Sequence, residues 1–211
     1  MKTSTNQKIL RMVQLAMLVA LIFVMQYIGT LASTPLRAIG IEFSFVLIPI
    51  VVGAFLLGPV EGAVLGLVFG IMTIVLTVTA PGTMTFILFE DSPVLYCLVA
   101  IVKAVAAGLG SGLIYKGLDK LFKGKHIYLR TVLASATAPI INTGIFLLGM
   151  VCFFSNTISE KWAGGQNVFV FLVALIWINF LVEFGINLIL SPAAVRVLKF
   201  TRKRFMPLSN L

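Results

Sequence analysis

Residues 48–57 read IPIVVGAFLL, a run from Ile48 to Leu57 with no charged residue and no alternation of polar with apolar positions, which stops at Gly58-Pro59. A membrane β-strand would show segments of about ten residues that alternate polar and apolar, so this stretch reads as helix. Crossing roughly 30 Å of hydrocarbon takes about 20 apolar residues at 1.5 Å each. A run this short is therefore expected either to stand with little tilt or to be partly shielded by its neighbours. Outward from it, the whole chain has the same character: of 211 residues 60% are hydrophobic and only 11% charged, with a mean hydropathy of +1.10. A soluble globule, about 45–50% apolar and 25% charged, is excluded.

Since a chain inside a bilayer must satisfy its own backbone as helices or a closed barrel, the expected fold is an all-α polytopic membrane protein, one membrane domain over residues 1–211 with six spans. These are Ile9 to Thr30, Phe43 to Leu57, Val60 to Thr79, Pro93 to Tyr115, Leu129 to Phe154 and Val168 to Leu190. Basic residues orient them, because short cytoplasmic loops hold the excess of Lys and Arg. Thirteen of the sixteen fall on one side: Lys2, Lys8 and Arg11, then Lys116, Lys120, Lys123, Lys125 and Arg130, then Arg196, Lys199, Arg202, Lys203 and Arg204. The other side has Arg37 and Lys161 beside Glu42, Glu90, Asp91 and Glu160. Both termini are thus expected in the cytoplasm. Topology and anionic headgroups account for the net charge of +9, and no nucleic-acid partner is called for. Thr30-Leu31-Ala32 faintly resembles a signal cleavage site, but five further spans favour an uncleaved first helix.

The chain lacks a GxxxxGK[ST] phosphate loop, HExxH and GxSxG. Cys97 and Cys152 sit in apolar stretches and form no CxxC pair; they read as packing residues. The lone His126 lies in a basic loop, where a solvated role is expected. With no cofactor or metal set, binding or transport is expected rather than catalysis.

Ionisable groups inside a membrane cost about 2.5–3.5 kcal/mol each and face a cavity or a partner. Lys103 lies ten residues into the fourth span, about 15 Å from its outer end at the helical rise, and Glu183 about 22 Å into the sixth. Asn179, Glu183 and Asn187 recur every fourth residue and share a face. With Asn142 of the fifth span at comparable depth, Lys103, Asn142 and Asn179 are expected to meet in one polar layer. The plainer alternative is a Lys103–Glu183 pair with asparagines knitting helices together. A cavity open to the outside also has Arg37, Glu42, Glu90, Asp91, Trp162 and Gln166 at hand, Arg37 being either a carboxylate clamp or a snorkelling interface residue. Small residues recur at every fourth position in Ala16 and Ala20, in Gly62, Gly66 and Gly70, and in Ala100, Ala104, Gly108 and Gly112. Such faces let backbones approach closely. Internal packing is expected for the last two sets, whereas the first equally suits another protein.

The run from Leu15 to Leu21 (LAMLVAL), with IPIVVGAFLLGP at 48–59 and EGAVLGLVFG at 61–70, resembles the substrate-binding S components of energy-coupling factor (ECF) vitamin transporters, those of the pantothenate type most of all. The similarity spans nearly the whole chain. It implies a multi-pass protein of the bacterial cell membrane that works with a transmembrane coupling protein and two cytoplasmic ATPases, which use the ATP. It further implies that Ala16 and Ala20 dock onto the coupling protein. The vitamin would sit near the outer face, between the first outer loop, the loop after the third helix and helices four to six, and the loaded protein would topple to deliver it. Arg37 and Lys103 suit an anionic vitamin, and Asn142, Asn179 and Gln166 suit the hydroxyls and amide of pantothenate. Phe86, Phe89, Phe153, Phe154, Trp162 and Trp177 equally suit riboflavin or folate, and a self-sufficient secondary transporter stays as an alternative.

Overall fold

The computed structural model describes residues 2–33, 45–81, 83–123, 125–164 and 166–205. The elements in order are α1 (Lys2–Ser33), α2 (Leu47–Leu56), α3 (Pro59–Val78), α4 (Met84–Asp91), α5 (Pro93–Leu121), α6 (Ile127–Ile158) with a π-helical turn at Ser159–Ala163, and α7 (Val168–Phe205). Five helices, all but α2 and α4, are long and apolar enough to cross a membrane. No strand occurs among the described residues. The all-α reading therefore stands, with one short helix more than the six spans expected.

Local signals explain most boundaries. Pro59 and Pro93 open α3 and α5 at a position where the missing N–H costs nothing. Before Pro59, Gly58 has φ +134°, a conformation that lets the chain reverse between α2 and α3 in two residues. The extra helix, α4, starts at Thr83, whose hydroxyl accepts the Phe86 N–H at 3.2 Å. Eight residues are too few to span or to show a helical period, so only the cap signals it.

The ten residues of α2 rise about 15 Å, half of a bilayer core. Leu47, Pro49, Ile50, Val51, Val52, Gly53, Ala54 and Phe55 are all buried, which is the pattern of a helix wrapped on every side. The shielding expected of the short run is thus provided by α1, α3, α5, α6 and α7 around it.

Around α2 the tightest joint is between α3 and α5. A Cβ added at Gly62 would lie 2.6 Å from the Gly108 carbonyl oxygen, and one at Gly112 2.7 Å from the Pro59 Cα. At Gly66 it would meet the backbone of Ala104. The two glycine-alanine faces therefore pack internally, as expected of them. Outward from this crossing, the side chains of α1 point largely away from the bundle, with Met12, Met17 and Tyr27 all more than 60% exposed.

The end that carries the basic loops is closed by side chains. Phe55 of α2 stacks on Tyr115 of α5 with centroids 4.2 Å apart, and the Arg130 guanidinium of α6 lies over the same ring at 5.4 Å. Arg130 also pairs with Asp119. It is thus buried, only 2% exposed, instead of reaching headgroups with the other basic residues, because a carboxylate and a ring replace its hydration. Cys97 is half-buried, while Cys152 is exposed and so does not act as a packing residue.

The crossing predicts opposite signs for two identical substitutions. Gly66→Ala should lower the thermal midpoint of the detergent-solubilised protein, at a cost of about 1–3 kcal/mol. Gly117→Ala, where a Cβ meets nothing within 4 Å, should be neutral or stabilise by up to about 1 kcal/mol. Equal effects would mean that the backbones do not touch at Gly66.

Candidate functional site

Six elements enclose one cavity. Its walls come from Gln26, Gly29, Thr30 and Ser33 on α1, Phe69 and Thr73 on α3, Met84, Thr85 and Leu88 on α4, and Tyr96 and Lys103 on α5. Asn142, Thr143, Phe146 and Met150 on α6 and Leu172, Leu175, Ile176, Asn179 and Glu183 on α7 complete it. The spacing follows from helix geometry: Asn142, Phe146 and Met150 lie every fourth residue, and Leu172, Ile176, Asn179 and Glu183 are four, three and four apart, so each helix offers a single face. The cavity holds about 100 Å³ of space for water centres, which suits a small solute.

It is graded from one end to the other. Met84, Leu88, Tyr96, Met150, Leu172 and Ile176 belong to one apolar cluster beside α4, the end opposite the basic loops. Further in lie Lys103, Asn142, Asn179 and Glu183. Lys103 Nζ sits over the Phe146 ring, 4.4 Å from its centroid, and Lys103 and Glu183 line the same cavity. The ring's negative face is one feature that makes a cation acceptable at this depth.

The amides are the most informative groups. Gln26 Oε1, Asn142 Oδ1 and Asn179 Oδ1 are all buried and accept no hydrogen bond from the described residues, and all three residues line the cavity. A buried acceptor without a partner costs about 1–3 kcal/mol, and three around one void is an arrangement that a ligand's donors, or water, would satisfy. The hydroxyls differ: Thr73 Oγ1 donates to the Phe69 carbonyl at 3.0 Å and Ser33 Oγ to the Gly29 carbonyl at 2.7 Å, within their own helices.

Of the residues singled out from the sequence, the structure brings together Lys103, Asn142, Asn179 and Glu183. Asn187 is buried one turn below Glu183 and spends an amide N–H on the Glu183 carbonyl at 2.8 Å. Glu90 is exposed, and Trp162 is half-buried against the outer apolar cluster; neither lines the cavity. The same holds for Gln166 and for the aromatic set Phe86, Phe89, Phe153, Phe154 and Trp177. Arg37 and Glu42 lie outside the described residues. Ala16 and Ala20 are on the exposed face of α1. The sequence reading missed Gln26 and the α4 wall; the spacing of Gln26, Thr30 and Ser33, four and then three residues apart, was the signal for the first.

A family model described as ECF transporter, substrate-specific component, matches residues 10–195. The chain belongs to this family. This S component is accordingly a multi-pass protein of the bacterial cell membrane and part of a transporter. It is similar to the pantothenate transporter PanT of Leuconostoc mesenteroides subsp. mesenteroides, at 24% identity over 200 residues that cover 92% of this chain and 94% of that relative.

The unpaired amides predict a trade between stability and binding. Asn142→Leu should raise the thermal stability of the ligand-free S component by about 1 kcal/mol, since it removes an unsatisfied buried acceptor at similar volume. A loss of stability instead would show that the Asn142 amide is structural.

Proposed function

We propose that this S component captures pantothenate from outside the cell and hands it on for ATP-driven import. The observation that carries the reading is the joint presence of Lys103 and three unpaired amide oxygens in one small cavity remote from the basic end. Pantothenate has one carboxylate for the cation, and hydroxyls and an amide for the acceptors. A relative named as a pantothenate transporter, matched along nearly the whole chain, supports the same cargo. Riboflavin and folate are flat aromatic ligands, and the six aromatic residues singled out for them from the sequence lie outside the cavity lining, which keeps Phe69, Tyr96 and Phe146.

In this reading Lys103 binds the carboxylate, Asn142 and Asn179 receive donors of the cargo, and Glu183 holds Lys103 in place by charge. The sequence has no GxxxxGK[ST] phosphate loop. ATP is used by two cytoplasmic ATPases, reached through the transmembrane coupling protein, and the loaded S component reorients against that protein to release its cargo. Ala16 and Ala20 are the docking pair, since their small side chains on an exposed helix face let another helix come close.

Two experiments test this. Mass spectrometry of small molecules released from the purified, denatured protein should find pantothenate near one per chain. Lys103→Ala should then weaken its binding more than tenfold, about 1.4 kcal/mol, while Glu90→Gln stays within twofold; unchanged affinity in a folded Lys103→Ala protein removes Lys103 from the site. Separately, Ala16→Leu with Ala20→Leu should abolish uptake in cells yet leave binding by the isolated protein intact. Uptake that survives the pair would place the docking face elsewhere.

A further inference from the structure

The three acceptors can be matched to cargo groups one by one, an inference that rests on the pantothenate reading. Pantothenate offers three donors, an amide N–H and two hydroxyls, and the cavity has three amide oxygens without partners among the described residues, on α1, α6 and α7. They are not equivalent in position. Asn142 is one turn from Phe146, over whose ring Lys103 Nζ lies, and Asn179 is one turn from Glu183, which lines the cavity with Lys103. Both therefore flank the end of the cavity where a carboxylate binds. Gln26 is seven residues from Ser33 at the outer end of α1, about 10 Å along the helix, against about 15 Å for Lys103 below Pro93. Gln26 lines the same void from α1.

We infer that Gln26 is a specificity-determining residue: its amide oxygen accepts a hydroxyl of the pantoyl half of the cargo and so selects a hydroxylated acyl chain over a plain one. A carboxylate and an amide alone would fill the Lys103 end and leave Gln26 Oε1 buried and unsatisfied. A site built to receive a hydroxyl rejects the analogue that lacks it more strongly than an apolar pocket rejects a missing methylene, because the unpaired acceptor is left behind. Recognition by α1 also means that cargo binding engages the helix whose other face carries Ala16 and Ala20.

The test is a double comparison by titration calorimetry on the full chain in detergent. One ligand is pantothenate, and the other is 3,3-dimethylbutanoyl-β-alanine, which keeps the carboxylate, amide and methyl groups and lacks both hydroxyls. The wild-type protein should prefer pantothenate at least 100-fold. Gln26→Met, which keeps the shape and removes the amide, should weaken pantothenate at least tenfold and leave the analogue unchanged or bound more tightly. Equal losses for both ligands, or none for pantothenate, would overturn the assignment. Should Gln26→Met fail to fold, the wild-type ratio decides: a preference under 100-fold overturns it and one of 100-fold or more sustains the hydroxyl-reading site. Absence of any pantothenate binding by the wild-type protein would instead remove the cargo reading and this inference with it.

Discussion

At Gly62, Gly66 and Gly108 the backbones of α3 and α5 meet with no side chain between them, and the rest of the bundle is arranged around that joint. Two helices this close leave no room for a void at the level where they cross. The short α2 fills the space beside them with residues buried on every side, and the stack of Phe55, Tyr115 and Arg130 closes the end beyond. The described cavity lies towards α4, where side chains of six elements stand apart. A single sided cavity is therefore a consequence of where the small residues lie. Larger residues at the same positions would part α3 from α5 and move Lys103 relative to α6 and α7.

Polar groups at that depth oppose folding, and the structure offsets them unequally. Arg130 has a carboxylate and an aromatic ring. Asn187 has a backbone carbonyl, and the hydroxyls of Thr73 and Ser33 bond within their own helices. The three cavity amide oxygens have no such partner among the described residues. An unmet buried acceptor reduces stability and gives nothing back until a donor arrives.

How much of this was legible in the sequence varies with how costly each residue is in lipid. Lys103 and Glu183 stand out because charge within an apolar run demands an explanation, and helical spacing then draws in Asn179 and, by depth, Asn142. The glycine faces were legible for the same reason of periodicity. Gln26 was not, because a polar residue near the outer end of a first helix looks like an interface residue. The hydroxyls of Thr30 and Ser33 add only their spacing from Gln26, and that of Thr73 gave no signal, since such groups can always bond to their own helix. Eight-residue α4 was invisible to any search for spans. Whether Glu90 and Trp162 turn towards a cavity depends on how connections fold back, which spacing along one chain does not encode. Counting charges placed Arg130 at the correct end and missed its burial, for a count is blind to Asp119 and Tyr115.

The division of labour on α1 follows from its geometry. At 3.6 residues per turn, Ala16 and Ala20 lie about 80° and 120° around the helix from Gln26, so one helix presents amide and hydroxyl groups to the cavity and small residues outward. It is also the long helix with the least of its surface buried, and it touches the bundle mainly through α2 and α3. The remaining walls of the cavity belong to α4 through α7. A cargo bonded to both sides adds contacts between α1 and those helices that the empty protein lacks. If the cargo bonds to Gln26 and a partner holds the alanine face, any coupling between them must act in both directions, because linkage is reciprocal.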